Sequence, residues 1–484
     1  MARLIVVSNR VAVPVPGGAH RAGGLEVALA PTLRRHPGVW FGWSGNVVPR
    51  EQITTQTVEQ IKTSYVVTDL SEEDYQEYYN GFANRVLWPI LHYRIDLAEF
   101  NRRDLTGYLR VNQHFAAELS KILRPDDVLW VHDYHLIPFA AEMRRRGYAN
   151  RIGFFLHVPF PAAEVITVLP NHERLIPLLL QYDLVGFQTE SDVGNFVRYV
   201  ISENRRTSGD ARIFEATEHQ IVFSHGGRQT RIGSFPVGIE GREFERLARR
   251  AVKSTFVRDV MKSLGDRALV IGVDRLDYSK GLIQRIEAFE RFFANAPHWR
   301  GRVTYLQITP KSRSEIQEYH ELAQAVGAAA GRINGQFGEV NWTPIRYVNR
   351  AYSRSALAGL YRSARAGLVT PLRDGMNLVA KEYVAAQDPE DPGVLILSRF
   401  AGAASECEYA LLVNPYDTES VASAIGHALE MPLAERRDRH GRIMAALSQN
   451  DLTTWGARFL QSLSQSPAIT SDTDTEPPRR RSAI

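Results

Sequence analysis

Ten consecutive residues, Arg373-Asp374-Gly375-Met376-Asn377-Leu378-Val379-Ala380-Lys381-Glu382, place two carboxylates eight positions apart around the predicted start of a helix. A helix that opens at the carboxyl end of a parallel strand aims backbone N–H groups and the positive end of its dipole into a crevice. Such a place receives an anion, a phosphate above all. A carboxylate beside a phosphate repels it unless it accepts hydrogen bonds from hydroxyl groups, and a nucleotide sugar, with phosphate and polyol together, satisfies both. An ordinary α/β crossover with a solvated first turn has the same pattern, so the stretch alone leaves both readings open.

Short apolar runs must position these residues. Ala366-Gly367-Leu368-Val369-Thr370 and Gly393-Val394-Leu395-Ile396-Leu397 flank the stretch and have the length and continuity of buried parallel strands. Between them Pro371 and Gly375 punctuate a turn, Asn377 is the predicted N-cap, and the helix runs on towards Gln387. Upstream, a predicted strand over 268–273 ends in Asp274-Arg275-Leu276-Asp277-Tyr278-Ser279-Lys280-Gly281, and another over 303–308 ends in Thr309-Pro310-Lys311-Ser312-Arg313. Three strand ends thus direct Arg275, Lys280, Arg313, Asp374 and Glu382 towards one crevice.

The first half repeats the alternation of strand and helix. Residues 4–8 form a strand, followed by Asn9-Arg10 and a turn-rich loop that ends at Gly23-Gly24-Leu25, where a helix starts. The fingerprint G-x-G-x-x-G is absent, and Pro31 is expected to end or kink this helix. Residues 75–94 concentrate Tyr78, Tyr79, Asn80, Trp88, His92, Tyr93 and Arg94, which pack as core or line a sugar pocket with their polar tips. Two further strands end in His132-Asp133-Tyr134-His135 and in His157-Val158-Pro159. These histidines lack H-E-x-x-H and related spacings, which argues against a metal site.

At 484 residues the chain exceeds one hydrophobic core. The expected domains are 1–240, 241–450, a C-terminal amphipathic helix over 451–465 carrying Leu452, Trp455, Phe459 and Leu463, and a disordered tail over 466–484. A net charge of +4 with scattered basic residues argues against a nucleic-acid partner, and Arg144-Arg145-Arg146 is read as a solvated helix face. The single cysteine, Cys407, excludes an intramolecular disulfide and a cysteine-based metal cluster. With no signal peptide and no apolar run of membrane-spanning length legible, the expectation is a cytoplasmic protein without membrane attachment.

With those residues laid out, the chain resembles the trehalose-6-phosphate synthase family of retaining, metal-independent glycosyltransferases. Ser8-Asn9-Arg10, Ala22-Gly23-Gly24-Leu25, Phe41-Gly42-Trp43-Ser44-Gly45, His132-Asp133-Tyr134-His135-Leu136, the run from Arg275 to Gly281 and the run from Arg373 to Glu382 match family motifs in order. The resemblance implies an α/β GT-B architecture, with two facing Rossmann-like domains, parallel sheets and a ligand cleft between them. It implies glucose transfer from UDP-glucose to glucose 6-phosphate, giving α,α-trehalose 6-phosphate, with no cofactor and with a homo-oligomer as the working form. By the same resemblance, Gly24, Arg275, Lys280, Tyr352, Leu378, Val379, Ala380, Lys381 and Glu382 hold the donor. Arg10, Tyr79, Trp88, Asp133 and Arg313 hold the acceptor, and His157 and Asp374 contact the transferred sugar. Tyr352 stands where relatives also carry phenylalanine, so its contact is assigned to the backbone.

Leaving UDP develops charge on its β-phosphate, which Arg275, Lys280 and the N–H groups near Leu378 and Val379 are expected to stabilise. No pair of opposed carboxylates of the glycosidase type is legible, and the resemblance implies front-face attack, with the donor phosphate taking the acceptor proton. Rival readings are a sister enzyme with another acceptor, such as a glucosylglycerol-phosphate synthase, and a silent nucleotide-sugar sensor. The retained acceptor set argues against the first and the retained Arg275, Lys280 and Glu382 against the second.

Overall fold

The continuous apolar runs become strands buried on both faces, assembled into two sheets. The computed structural model describes residues 3–13, 24–60, 62–207, 210–217, 220–310 and 317–466. Among them the first sheet holds β1 (Leu4–Arg10), β2 (Gly38–Val47), β3 (Thr55–Glu59), β4 (Thr63–Leu70), β5 (Val128–His132), β6 (Ile152–Phe155), β7 (Leu184–Phe187), β8 (Arg212–Ala216), β9 (Gln220–His225) and β10 (Arg228–Ser234). Its order is β3-β4-β2-β1-β5-β6-β7-β10-β9-β8, parallel from β4 to β10 and antiparallel at both margins. The second sheet holds β11 (Ala268–Val273), β12 (Val303–Ile308), β13 (Ile345–Val348), β14 (Ala366–Val369), β15 (Val394–Ser398) and β16 (Leu411–Val413). All its pairs are parallel, in the order β13-β12-β11-β14-β15-β16.

In each sheet the strand order reverses about the founding strand, β1 between β2 and β5 and β11 between β12 and β14. A crevice forms outside the carboxyl ends at such a reversal, because successive connections leave in opposite directions. The two facing α/β domains with a cleft between them follow from this, as the resemblance implies. Helices cover the sheet faces, among them Arg102–Ser120 and Glu190–Thr207 in the first domain and Leu282–Asn295, Arg354–Ser363 and Leu378–Ala386 in the second.

The C-terminal helix Leu452–Ser464 does not stay with the second domain. It returns to the first, where Trp455 and Phe459 lie 4.8 and 4.7 Å from the Trp130 ring and both also pack on Phe155. A side chain at Gly456 would meet Thr32 Oγ1 at 2.2 Å, so the close approach to the Gly24–Arg35 helix requires glycine. The two chain crossings between domains touch: a Cβ at Gly238 would lie 1.5 Å from Asn450 O, and the Asn450 amide donates to Pro236 O at 2.9 Å.

Two sequence expectations are corrected. The Gly24–Arg35 helix continues through Pro31, which is buried and removes a single backbone hydrogen bond without ending the helix. Arg144 is not part of a solvated face: its side chain is 10% exposed, lies 2.8 Å from Asp183 and donates to the carbonyls of Tyr148 and Asn150. The tail expected to be disordered lies, from residue 467 on, outside the described residues.

Candidate active site

On the second-domain side, the chain leaving β11 turns at Asp277, whose carboxylate accepts from Ser279 N at 2.9 Å, and enters the Leu282–Asn295 helix through Gly281. Lys280 Nζ lies 2.6 Å from Asp374 Oδ2, with the two side chains only 10% and 15% exposed. Leu372 N donates to Ser279 O at 2.7 Å and ties the two loops together along the backbone. Beneath them the wholly buried Arg285 braces three strand ends at once. It pairs with Asp274 after β11, donates to Gln307 of β12 at 3.0 Å and to Thr370 after β14 at 3.0 Å, and also reaches Lys280 O at 3.1 Å.

Asn377 caps the Leu378–Ala386 helix as read from the sequence. It takes a positive φ of 76°, its Oδ1 accepts from Ala380 N at 3.1 Å and its Nδ2 donates to Asp374 Oδ2 at 3.0 Å. With the Ala380 N–H engaged by the cap, Leu378 and Val379 supply the N–H groups of the first turn. Leu378 itself packs against the cores of both domains. For Lys381 a donor contact is left to the backbone: its ammonium is buried, donates to Val237 O at 2.7 Å and pairs with Glu406, so the side chain points into the domain crossing. Glu382 lies 3.4 Å from Arg354, and burial raises its pKa against the opposing pull of that arginine. Tyr352 packs on Phe256 at 5.4 Å, and Gly24 opens its helix with free space where a side chain would stand.

The first-domain side is aromatic. Arg10 lies over Trp43 at 5.6 Å, Trp43 meets Tyr79 at 5.7 Å, and Tyr79 stacks on Tyr75 at 5.6 Å and on His135 at 6.0 Å. Tyr75 and Tyr79 come from the helix Tyr75–Leu87, which is wound as a π-helix, so that Trp88 N donates five residues back to Ala83 O. Trp88 packs on His92 at 4.1 Å and Tyr134 at 5.8 Å. Asp133 sits at φ 77° just after β5, a conformation costly for a residue with a side chain, and its Oδ1 accepts from Tyr134 N at 3.1 Å and His157 N at 3.3 Å. The bond to His157 N ties the turn after β5 to the segment after β6. His157 is partly exposed, and burial of the rest of its ring pushes its pKa down to about 3, so the imidazole is neutral.

The two sides meet. Arg275 of the second domain lies over Trp88 of the first at 5.8 Å. Tyr93 and Arg94, adjacent in the first domain, make cation–π contacts of opposite sense: Arg373 lies over Tyr93 at 4.6 Å and Arg94 over Tyr278 at 5.4 Å. Tyr93 takes φ 61° to present its ring, and its hydroxyl accepts from Ala162 N at 2.9 Å. A cavity of about 450 Å³, lined in part by Gln188, Thr189, Ser234, Arg373, Asp374 and Phe400, opens beside the Asp374 loop.

Of the residues singled out in the sequence, Lys280 and Asp374 are brought into contact, Arg275 joins Trp88, and Arg10 joins Tyr79 through Trp43. Arg313 lies outside the described residues. Sequence reasoning missed Arg285 and Arg354, and although it named His132, Tyr93 and Arg94 it did not foresee the contacts that His132 makes with His157 and that Tyr93 and Arg94 make across the cleft. For Arg285 the only signal was an arginine on the apolar face of a helix. Among the described residues no three His, Cys, Asp or Glu side chains are grouped to hold a metal ion, and no helix is long and apolar enough to cross a membrane.

Comparison with known proteins extends the picture along the whole chain. The model of glycosyltransferase family 20 matches residues 6–465. A trehalose-6-phosphate synthase of Sinorhizobium fredii is 52% identical over 469 residues, covering 96% of this chain and 99% of that protein. One of Klebsiella pneumoniae is 46% identical over 466 residues, covering 96% and 95%. The crystal structure of an α,α-trehalose-phosphate synthase (UDP-forming) from Burkholderia xenovorans in complex with glucose-6-phosphate superposes with a TM-score of 0.91 at 46% identity, over 96% of this chain and 100% of that one. The E. coli protein bound with UDP-2-fluoro glucose superposes with a TM-score of 0.89 at 43% identity, over 96% and 99%.

Proposed function

The chain belongs to glycosyltransferase family 20, and from that premise we infer that it transfers glucose from UDP-glucose to glucose 6-phosphate with retention of configuration. The products are α,α-trehalose 6-phosphate and UDP, and the reaction is the first step of trehalose biosynthesis. The observation that carries this reading is the pairing of unlike surfaces across one cleft. Cations and a helix start from the second domain face stacked aromatic rings and polar tips from the first, and Arg275 on Trp88 joins them.

In this reading Arg275, Lys280 and the N–H groups of Leu378 and Val379 stabilise the charge that develops on the leaving diphosphate. Lys280 has three N–H donors, so it can hold Asp374 and a phosphate oxygen together. Asp374 is engaged by Lys280 and Asn377 and Glu382 by Arg354, which supports their use as hydroxyl acceptors rather than as nucleophiles. Front-face attack, with the donor phosphate taking the acceptor proton, then accounts for retention. The protein's own contribution is to orient two substrates and exclude water. Arg10, Tyr79, Trp88, Asp133 and Arg313 belong to the acceptor side of this reading, with Arg10 and Arg313 gripping the phosphate as planar forks.

A cytoplasmic location and a homo-oligomer are part of the same reading, tested by cell fractionation and by light scattering of the purified protein. The activity is tested by product analysis after incubation with UDP-, GDP- and ADP-glucose and with either glucose 6-phosphate or glycerol 3-phosphate. A non-reducing disaccharide phosphate formed from UDP-glucose and glucose 6-phosphate is the expected result. A product with glycerol 3-phosphate alone would transfer the reading to a sister enzyme, and no product with any pair would leave a sensor.

A further inference from the structure

His132 ends β5 and is wholly buried, and its Nδ1 lies 3.1 Å from Nε2 of His157. Aromatic rings enclose it, with Trp130 at 4.7 Å and Phe155 and Trp455 each at 6.5 Å between ring centres. Among the described residues its Nε2 has no hydrogen-bond partner. Both imidazoles are neutral, because burial lowers the pKa of His132 well below its ordinary value and that of His157 to about 3. A neutral pair joined by one hydrogen bond has one proton between the facing nitrogens, so the two tautomers are linked.

Two linked arrangements exist. In one, His132 carries its proton on Nε2 and buries an N–H that donates to nothing. In the other, it carries the proton on Nδ1, donates to His157 Nε2 and leaves a bare acceptor nitrogen among the rings. Orphaned buried N–H groups are rarer than under-satisfied acceptors, which favours the second. His157 must then hold its own proton on Nδ1, its one remaining polar ring atom. The Asp133 carboxylate fixes the backbone of the same residue by accepting its N–H at 3.3 Å.

We propose that His132 is a positioning residue that fixes His157 as the Nδ1–H tautomer, so that His157 presents a hydrogen-bond donor to an oxygen of the transferred sugar. The sugar contact rests on the reading of the cleft given above, whereas the tautomer does not. A donor of fixed direction favours nucleotide sugars that keep the matching oxygen and penalises deoxy analogues, since the loss of that oxygen leaves a polar group unpaired.

The test uses the full chain labelled with ¹⁵N in its histidine rings, with the His157 signals assigned by their loss in His157→Gln. Long-range proton–nitrogen correlations at neutral pH are expected to show protonated Nδ1 and bare Nε2 for His157. In His132→Leu, which removes the donor, the pattern is expected to change and kcat to fall about tenfold with the acceptor KM little altered. His132→Asn, whose amide can donate from nearly the place of Nδ1, is expected to restore much of both. A wild-type His157 protonated on Nε2, or a His157 tautomer unchanged in His132→Leu, overturns the proposal. If the tautomer is as stated but the His157 signals do not respond to UDP-glucose, the positioning role stands and the sugar contact falls.

Discussion

The ammonium of Lys280 and the carboxylate of Asp374 stand 2.6 Å apart and join the loop after β11 to the loop after β14. The pair neutralises each charge inside the cleft and fixes where the cation points. Lys280→Ala is expected to lower kcat by about two to three orders of magnitude, the usual scale for loss of a preorganised charge stabiliser. The acceptor KM should change little, as measured by UDP release at saturating donor. Turnover at the wild-type level would show that Lys280 does not act on the leaving group.

Arg373 over Tyr93 crosses the cleft and is read best by a double-mutant cycle. The single variants Arg373→Ala and Tyr93→Ala and their combination are expected to be non-additive in kcat/KM by about 0.5–1 kcal/mol, the size of a partly exposed cation–π contact. Strict additivity would mean that the contact does not contribute to the working arrangement.

Arg285 is expected to matter for stability first. Removing it leaves Asp274 buried and uncompensated, a change that costs about 3–5 kcal/mol in comparable buried pairs. Urea unfolding of Arg285→Met, followed by fluorescence, should show a lower midpoint. An unchanged midpoint would mean that the three strand ends hold their places without the brace.

The strands were legible because parallel strands buried on both faces leave unbroken apolar runs, as residues 268–273 and 394–398 do. The Asn377 cap was legible because capping is local. What escaped depends on partners far away in the chain. Lys381 sits one turn into a helix that looks cleft-facing, and only the fold brings Val237 and Glu406 to its ammonium. Arg144 sits in a basic run that looks solvated until the fold brings Asp183, just ahead of β7, beside it. His132 and His157 meet because β5 and β6 are neighbours, which no spacing rule states.

His92 gives a pH prediction. Burial lowers its pKa from 6.5 to about 4, so the folded protein keeps it neutral while the unfolded chain takes up a proton below pH 6.5. Its contribution to stability is fully present above pH 6.5 and is lost as the pH falls towards 4, by at most about 3 kcal/mol. His92→Asn should therefore lose less stability than the wild type over that range, as read from melting temperatures at pH 7.5, 6, 5 and 4. Parallel curves would mean that His92 is protonated in the folded state as well.

The return of the Leu452–Ser464 helix to the first domain sets an order in time. The ribosome completes all ten strands of the first sheet, and then the entire second domain, before it makes the residues that cover Trp130 and Phe155. Until then the nascent first domain carries an uncovered aromatic face. A chain arrested or cleaved ahead of residue 452 keeps that face exposed and is prone to aggregation. The enzyme is therefore finished from its last helix backwards, and its two domains mature as one unit.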